Sequence, residues 1–194
     1  MVEIKKKIHM ALQGGGAHGA FTWGILDKIL EDGRLEIDGL CSTSAGSLNA
    51  AVFAYGRLKG GNEGARKLLH DFWKSVSKIS HNSNEVPTPF DNFIRYYNLS
   101  IFDNLSHVIS PYQFNPLNYN VLRDVLAKHV DFDELKEVKS TNLFISTTTV
   151  RTGKVRVFET SELSLDVIMA SACLPYLYQA VKVGDEYLVF GVTC

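Results

Sequence analysis

The sequence predicts an α/β domain, and three observations favour this class. The first 55 residues alternate short apolar runs, glycine-containing loops and helix-spaced segments, in the order strand, loop, helix, strand, loop, helix. Two strand-turn-strand patterns follow, at 142–159 and 181–190. With 45% apolar residues and a net charge of −1 over 194 residues, the chain has the composition of one folded domain and not of a disordered chain.

The first strand-loop-helix unit spans residues 8–33. The short apolar run at 8–12 ends at a glycine cluster, which predicts a buried strand. Apolar residues recur at helical spacing from Ala20 to Leu30, and the pair Asp32-Gly33 ends this predicted helix. A second apolar segment, 35–41, predicts the next strand, so the central sheet is expected to contain strands near 8–12 and 37–41.

The middle of the sequence changes from helical to irregular. Residues 48–55 are small and apolar, which predicts a buried helix that Gly56 and the pair Gly60-Gly61 help to end. An amphipathic helix is predicted over 63–77. Residues 79–117 are rich in Asn, Ser, Pro and aromatic residues without a sustained period, and two interpretations stay open for them: a lid or acyl-chain groove, or an ordinary packed connection.

The last third of the sequence predicts two helices and two hairpins. In chain order these are helix 120–130, strands 142–150 and 155–159, helix 164–173, and strands 181–183 and 187–190. The turn of the second hairpin is Gly184-Asp185, and Pro175 ends the second helix.

Charge and cysteine usage exclude several classes. The near-zero net charge lacks the electrostatic footprint of phosphate-backbone binding, so nucleic acid is excluded as a primary partner. Cys41, Cys173 and Cys194 are odd in number and far apart, without the C-x-x-C spacing of a metal or redox pair. They predict a reducing compartment, no disulfides and no metal site.

The amino-terminal residues predict a cytoplasmic location. Three lysines at 5–7 precede an apolar run that stops at Leu12, which is too short for the core of a signal peptide. No stretch approaches the length of a membrane span of about 18 apolar residues. Export by a route without a Sec-type signal stays open.

A glycine loop forms the first candidate site. The run Gly-Gly-Gly-Ala-His-Gly at 14–19 contains G-x-G-x-x-G at Gly14, Gly16 and Gly19, between a predicted strand and a predicted helix. Backbone N–H groups in such a loop bind either a pyrophosphate or the oxyanion of acyl transfer. A dinucleotide-binding fold needs an acidic residue about 20 positions further on. Cys-Ser-Thr-Ser stands there at 41–44, and the motif alone leaves both interpretations open.

Ser44 forms the second candidate site. It lies between the second predicted strand and the following helix, the position of a nucleophile elbow, where a strained turn exposes Oγ and directs a helix N-terminus at a developing oxyanion. In a G-x-S-x-G motif the two glycines fall at Ser42 and Gly46, so this chain has S-x-S-x-G. The alternative interpretation is that 43–47 is only a helix N-cap, for which Ser and Thr are suited.

Together the two sites resemble the patatin-like phospholipase family. The resemblance rests on Gly-Gly-Gly-Ala-His-Gly-Ala-Phe at 14–21 followed by Ser-Thr-Ser-Ala-Gly-Ser-Leu-Asn-Ala-Ala at 42–51, and it continues through 72–73, 110–118, 150–153 and 170–175. It implies one patatin-like domain over 1–194, C-terminally incomplete, with a three-layer α/β/α fold and a mainly parallel central sheet. It also implies a serine lipid acyl hydrolase with a Ser-Asp dyad and without a metal or cofactor.

The resemblance assigns roles to particular residues. Ser44 is the nucleophile, and Gly14, Gly15 and Gly16 form the oxyanion hole. In many members a basic residue has the place of His18. The implied substrate is a phospholipid or another acyl-ester lipid, met in transient contact with a membrane surface.

The second catalytic residue of the family is missing from the sequence. The family's aspartate begins an Asp-Gly-Gly or Asp-Gly-Ala motif after a late strand, whereas 187–192 reads Tyr-Leu-Val-Phe-Gly-Val, which puts Val189 in the aspartate's place. Asp185, the nearest carboxylate, lies in a predicted turn. The six histidines, at 9, 18, 70, 81, 107 and 129, are predicted to have surface or structural roles. The alternative to an active hydrolase is therefore an inactive patatin-like fragment, or a pseudoenzyme that binds lipid or a protein.

Overall fold

The computed structural model describes residues 6–81, 111–114, 116–175 and 178–191. Most of the segment 79–117, with its proposed lid or groove, lies outside these residues. The strands are β1 Lys6–Leu12, β2 Leu35–Ser42, β3 Asn142–Thr149, β4 Val155–Glu159, β5 Val181–Val183 and β6 Glu186–Phe190. The helices are α1 Gly19–Asp32, α2 Ala45–His81, α3 Pro111–Phe114, α4 Val121–His129, α5 Phe132–Leu135 and α6 Leu165–Ser171, with 3-10 turns at Gly16–His18 and Thr160–Glu162.

The six strands form one mixed sheet in the order β1, β2, β3, β6, β5, with β4 also paired to β3. The pairs β1–β2 and β2–β3 are parallel, as the family resemblance implies, and the ladders of β4, β5 and β6 are antiparallel. With helices packed on this sheet, the domain has the α/β class that the sequence predicts.

Along one of its edges, strand β3 pairs with two strands in succession. Strand β2 pairs with residues 142–145 and β6 with 147–149, whereas β4 pairs with 144–148. Because β4 overlaps both of the others, β4 occupies one edge of β3, and β2 and β6 share the opposite edge end to end. The gap between the ends of β2 and β6 lies at Ser146.

The hydrophobic core lies where α2 covers the central strands. Residues 50–54 in the first half of α2 are fully buried, as are Leu40 of β2 and Leu143 of β3. Burying a large side chain such as Phe53 contributes about 1.5–3 kcal/mol relative to an exposed position. The apolar run of the sequence therefore fixes α2 against the sheet, with its first turn next to the end of β2.

The structure corrects the predicted end of the buried helix. Gly56 does not end α2, which continues to a kink at Gly60 and Gly61. A Cβ on Gly56 would lie 2.6 Å from Ala65 Cα, and one on Gly64 would lie 2.4 Å from the Gly56 carbonyl oxygen. These glycines are the contact between the two halves of α2, because only a glycine permits so close an approach.

The other predicted elements agree with the structure within a few residues. Gly33 ends α1 in the left-handed conformation, with a φ of 72°. The short helices α3 and α5 and the two 3-10 turns were not predicted, since they are too short to show a period. None of the helices in the described part of the chain is long and apolar enough to cross a membrane.

The prediction of no disulfides is wrong for one cysteine. Cys41 is disulfide-bonded, because the spacing of cysteines in a sequence does not show which of them the fold brings together. Cys173 is free and buried. Burial raises the pKa of the Cys173 thiol to about 11, so this thiol stays protonated near neutral pH.

Candidate active site

Ser44 lies in a strained turn between β2 and α2. Its φ is 54°, and Asn118 is the one other non-glycine residue of the described chain with a positive φ. For such a residue the left-handed conformation costs about 1–2 kcal/mol. Strand β2 ends at Ser42 and α2 begins at Ala45, so the turn consists of Thr43 and Ser44 alone. We refer to Thr43–Ser44 as the serine turn; a strained strand-to-helix turn of this kind is what a nucleophile elbow requires.

Two glycines make room for the serine turn. A Cβ on Gly46 would lie 2.2 Å from the Leu12 carbonyl oxygen, and one on Gly14 would lie 2.8 Å from Ser44 Cβ. The end of β1, the start of the glycine loop and the start of α2 are thus in direct contact around Ser44. Ser42, in place of the motif's first glycine, is buried, and its hydroxyl donates to Ser47 Oγ at 3.5 Å.

The glycine loop faces away from the core beyond Gly14. Gly15 and Gly16 are exposed, with φ values of 154° and 56°, and a Cβ on Gly16 would meet nothing within 4 Å. No side chain of the described residues caps the following 3-10 turn or α1. The His18 N–H donates to the Gly15 carbonyl and the Gly19 N–H to the Gly16 carbonyl, so it is the N–H groups of Gly16 and Ala17, in the first turn, that are left to solvent or to a bound anion.

The third glycine of G-x-G-x-x-G has a packing role. A Cβ on Gly19 would lie 2.8 Å from the Trp73 ring and 2.9 Å from Ala45 Cβ. Buried Asn49 joins the same helices, since its Nδ2 donates to the Gly19 carbonyl and its Oδ1 accepts from Trp73 Nε1, both at 2.9 Å. The contact of α1 with α2 thus explains why a glycine stands at 19, and a bound nucleotide is not needed to explain it. Sequence reasoning missed Asn49, whose signal is a lone amide in an apolar helical run.

Buried hydroxyl groups hold the serine turn in place through hydrogen bonds. The Ser44 N–H donates to Ser171 Oγ at 3.1 Å, and Ser171 Oγ lies 2.9 Å from Ser47 Oγ. Thr43 Oγ1 donates to the Gly191 carbonyl at 2.7 Å, which connects the turn to the end of β6. Sequence reasoning gave Ser171 no role, although the segment 170–175 carries part of the resemblance.

Val189, which the sequence resemblance puts in the aspartate's place, lies on the strand that reaches the serine turn. Val189 is half-buried on β6, opposite Thr148 of β3. Gly191, two residues later, contacts Ser146, because a Cβ there would lie 2.3 Å from the Ser146 carbonyl oxygen. Strand β6 therefore enters the gap beyond β2 and ends beside the serine turn, with valine where a carboxylate is expected.

No carboxylate or imidazole of the described residues hydrogen-bonds to Ser44 Oγ. Asp185 precedes β6, so about five residues of strand, roughly 16 Å, separate it from the end that meets the serine turn. His18 Nδ1 lies 3.0 Å from the Gly15 carbonyl oxygen and His129 Nδ1 lies 2.8 Å from that of Val125. His70 pairs with Asp71.

Within the described residues no cluster of His, Cys, Asp and Glu could hold a metal ion.

A match to one solved structure supports the fold, and a second match is weaker. The structure of VipD from Legionella pneumophila is similar with a TM-score of 0.51 at 15% identity, and the match covers 96% of this chain and 46% of VipD. The structure of full-length SpcU in complex with full-length ExoU from the type III secretion system of Pseudomonas aeruginosa matches with a TM-score of 0.38 at 17% identity, over 87% of this chain and 38% of that chain. This chain thus spans less than half the length of either match.

Sequence comparison identifies the family. No curated protein sequence matches the chain at a significant level. The family model for patatin-like phospholipase matches residues 10–192, which include the glycine loop, the serine turn and β6. The chain therefore belongs to the patatin-like phospholipase family.

Proposed function

We propose that this chain is a serine lipid acyl hydrolase in which Ser44 is the nucleophile. One observation carries the proposal: Ser44 has a left-handed φ of 54° between β2 and α2, with Gly14 against its Cβ. Nothing in the packing of a helix N-cap requires this strain, whereas a nucleophile elbow does. The proposed substrate is a phospholipid or another acyl-ester lipid at a membrane surface.

In the proposed reaction Ser44 Oγ attacks the ester carbonyl carbon and forms a tetrahedral intermediate. The N–H groups of Gly15 and Gly16, with that of Ala45 at the start of α2, stabilise the oxyanion. The alcohol leaves as the carbonyl re-forms, and water then hydrolyses the acyl-enzyme. His18 lies beside the oxyanion site, where its imidazole is suited to contact an anionic head group.

The Ser44 proton needs an acceptor, and this requirement favours a second candidate function. Valine cannot accept a proton, so with Val189 in the aspartate's place the chain has the nucleophile and oxyanion sites without the dyad acid. A general base contributes about 10²–10⁴-fold to rate. The alternative is therefore a pseudoenzyme that binds acyl lipid or a protein without turnover.

A fluorophosphonate probe tests the nucleophile. We expect the probe to label the wild-type chain at Ser44 and Ser44→Ala to abolish labelling and any hydrolysis of a short-chain ester, with little change in Tm. Ser161→Ala is the matched control, because Ser161 is exposed on a 3-10 turn. Loss of activity in Ser42→Ala and Ser47→Ala with full activity in Ser44→Ala would contradict the assignment.

A lipid-binding assay separates the two functions. Incubation with vesicles of a fluorescent phospholipid should release fatty acid from an active hydrolase. Sedimentation with the vesicles without released fatty acid, and without probe labelling, would favour the pseudoenzyme.

A further inference from the structure

A network of buried serine hydroxyls is hydrogen-bonded to the backbone of the serine turn, and the proposed reaction does not use it. Ser42, Ser47 and Ser171 are each at most 1% exposed. The Ser44 N–H donates to Ser171 Oγ at 3.1 Å, and Ser171 Oγ lies 2.9 Å from Ser47 Oγ. Ser42 Oγ, on the other side of the turn, donates to Ser47 Oγ at 3.5 Å.

The donors and acceptors of this serine network are consistent with hydrogen bonds that run in one direction, from Ser42 to Ser47 to Ser171. Because Ser47 Oγ accepts from Ser42, the Ser47 proton is available for Ser171. The Ser171 oxygen has two lone pairs, which suffice for the Ser47 hydroxyl and the Ser44 N–H. Ser171 is therefore an acceptor for the backbone of Ser44, held by the residues that flank the turn.

The hydrogen bond to Ser171 opposes relaxation of the strained turn. An N–H that is buried without an acceptor is costly, so the Ser44 N–H favours the backbone conformation that reaches Ser171. Rotation of Ser44 out of the left-handed region would turn this N–H away and move Oγ with it. Ser171 itself is the last residue of α6, whose Val167, Ile168 and Ala170 are fully buried.

We propose that Ser171 is a positioning residue for Ser44: its hydroxyl holds the Ser44 N–H and so fixes the direction of Oγ. The functional part of this inference depends on the proposed role of Ser44 as nucleophile. The structural part, that Ser171 maintains the left-handed turn, does not.

Paired variants of α6 test the proposal. Ser171→Ala removes the acceptor of the Ser44 N–H, whereas Ser164→Ala removes the acceptor of the Val167 N–H at the other end of the same helix. We expect Ser171→Ala to slow fluorophosphonate labelling of Ser44 by about tenfold or more, because a small displacement of a reacting atom costs large factors in rate. Ser164→Ala should lower Tm comparably and leave the labelling rate unchanged. Ser171→Thr keeps the hydroxyl and should recover part of the rate.

Amide hydrogen exchange tests the same contact without activity. In Ser171→Ala, exchange of the Ser44 amide followed by NMR should accelerate about tenfold or more relative to wild type, since its hydrogen bond is lost. In Ser164→Ala the Ser44 amide should keep its protection.

The two measurements separate the possible failures. If the wild-type chain is not labelled at Ser44, the proposed function fails, and the exchange of the Ser44 amide alone decides whether Ser171 maintains the turn. If labelling and Ser44 exchange in Ser171→Ala both equal those of Ser164→Ala, the positioning role is wrong.

Discussion

The serine turn and strand β6 are two halves of one site, and they differ in what they retain. Around Ser44 the left-handed backbone, the close glycines and the buried hydrogen bonds are all present. At the end of β6 the backbone frame is present, with the Gly191 carbonyl hydrogen-bonded to Thr43 Oγ1, but valine stands at 189, where the sequence resemblance puts the acid. A frame set by close backbone packing can therefore persist at a position whose side-chain chemistry has changed.

Restoring the acid gives the largest expected effect. We expect Val189→Asp with Phe190→Gly to raise kcat/KM on a short-chain ester by about 10²–10⁴-fold, the usual contribution of a general base. Thr148 supports this choice. Its Oγ1 is buried without a partner in the described structure, and it lies directly across from Val189 on the same face of the sheet, where it can donate to a carboxylate.

The control for this prediction is Val189→Asn with Phe190→Gly, which adds a polar group of the same size that accepts no proton near neutral pH. Its activity should stay at the wild-type level. Robust hydrolysis by the wild-type chain, unaffected by either pair of substitutions, would show that another residue is the base and that the interpretation of β6 is wrong.

Added volume at the serine turn gives the next largest effect. Gly46→Ala brings a Cβ to within 2.2 Å of the Leu12 carbonyl oxygen, so the backbone must shift, at a cost of about 1–3 kcal/mol in the free energy of unfolding. Gly24→Ala is the matched substitution, because Gly24 lies inside α1 with nothing within 4 Å of the added Cβ. It should stabilise the fold by about 0.5–1 kcal/mol. Urea denaturation of both variants measures the contrast, and equal midpoints would contradict the close approach.

The sequence predicts the parts of the molecule that depend on local pattern. The parallel strands at 8–12 and 37–41, the helix after the glycine loop and the turn at Ser44 follow from apolar periodicity and glycine placement. The role of Gly56 does not follow from local pattern, because a glycine at which two halves of a helix hairpin touch has the same local signature as a glycine that ends a helix. Ser171 was also missed, since its contact with Ser44 joins residues 127 positions apart.

Removal of the contact between the two halves of the site should have a smaller effect. Thr43→Val keeps the side-chain shape but leaves the buried Gly191 carbonyl without its donor, so we expect a loss of about 1–2 kcal/mol in the free energy of unfolding. Thr43→Ser retains the hydroxyl and should lose less. If Thr43→Val is as stable as the wild-type chain, β6 is not held at the serine turn by this bond.

Relief of the backbone strain at Ser44 should have the smallest effect. Ser44→Gly and Ser44→Ala both remove the hydroxyl. Glycine adopts a φ of 54° without steric cost, whereas the Cβ of alanine keeps the left-handed conformation strained. Because glycine also gains entropy in the unfolded chain, we expect Ser44→Gly to be more stable than Ser44→Ala by only about 0.5–1 kcal/mol. Thermal unfolding of the two variants measures this difference. Alanine at least as stable as glycine would mean that the turn relaxes once Oγ is absent. The strain would then belong to the serine side chain and not to the packing of Gly14 and Gly46 around it.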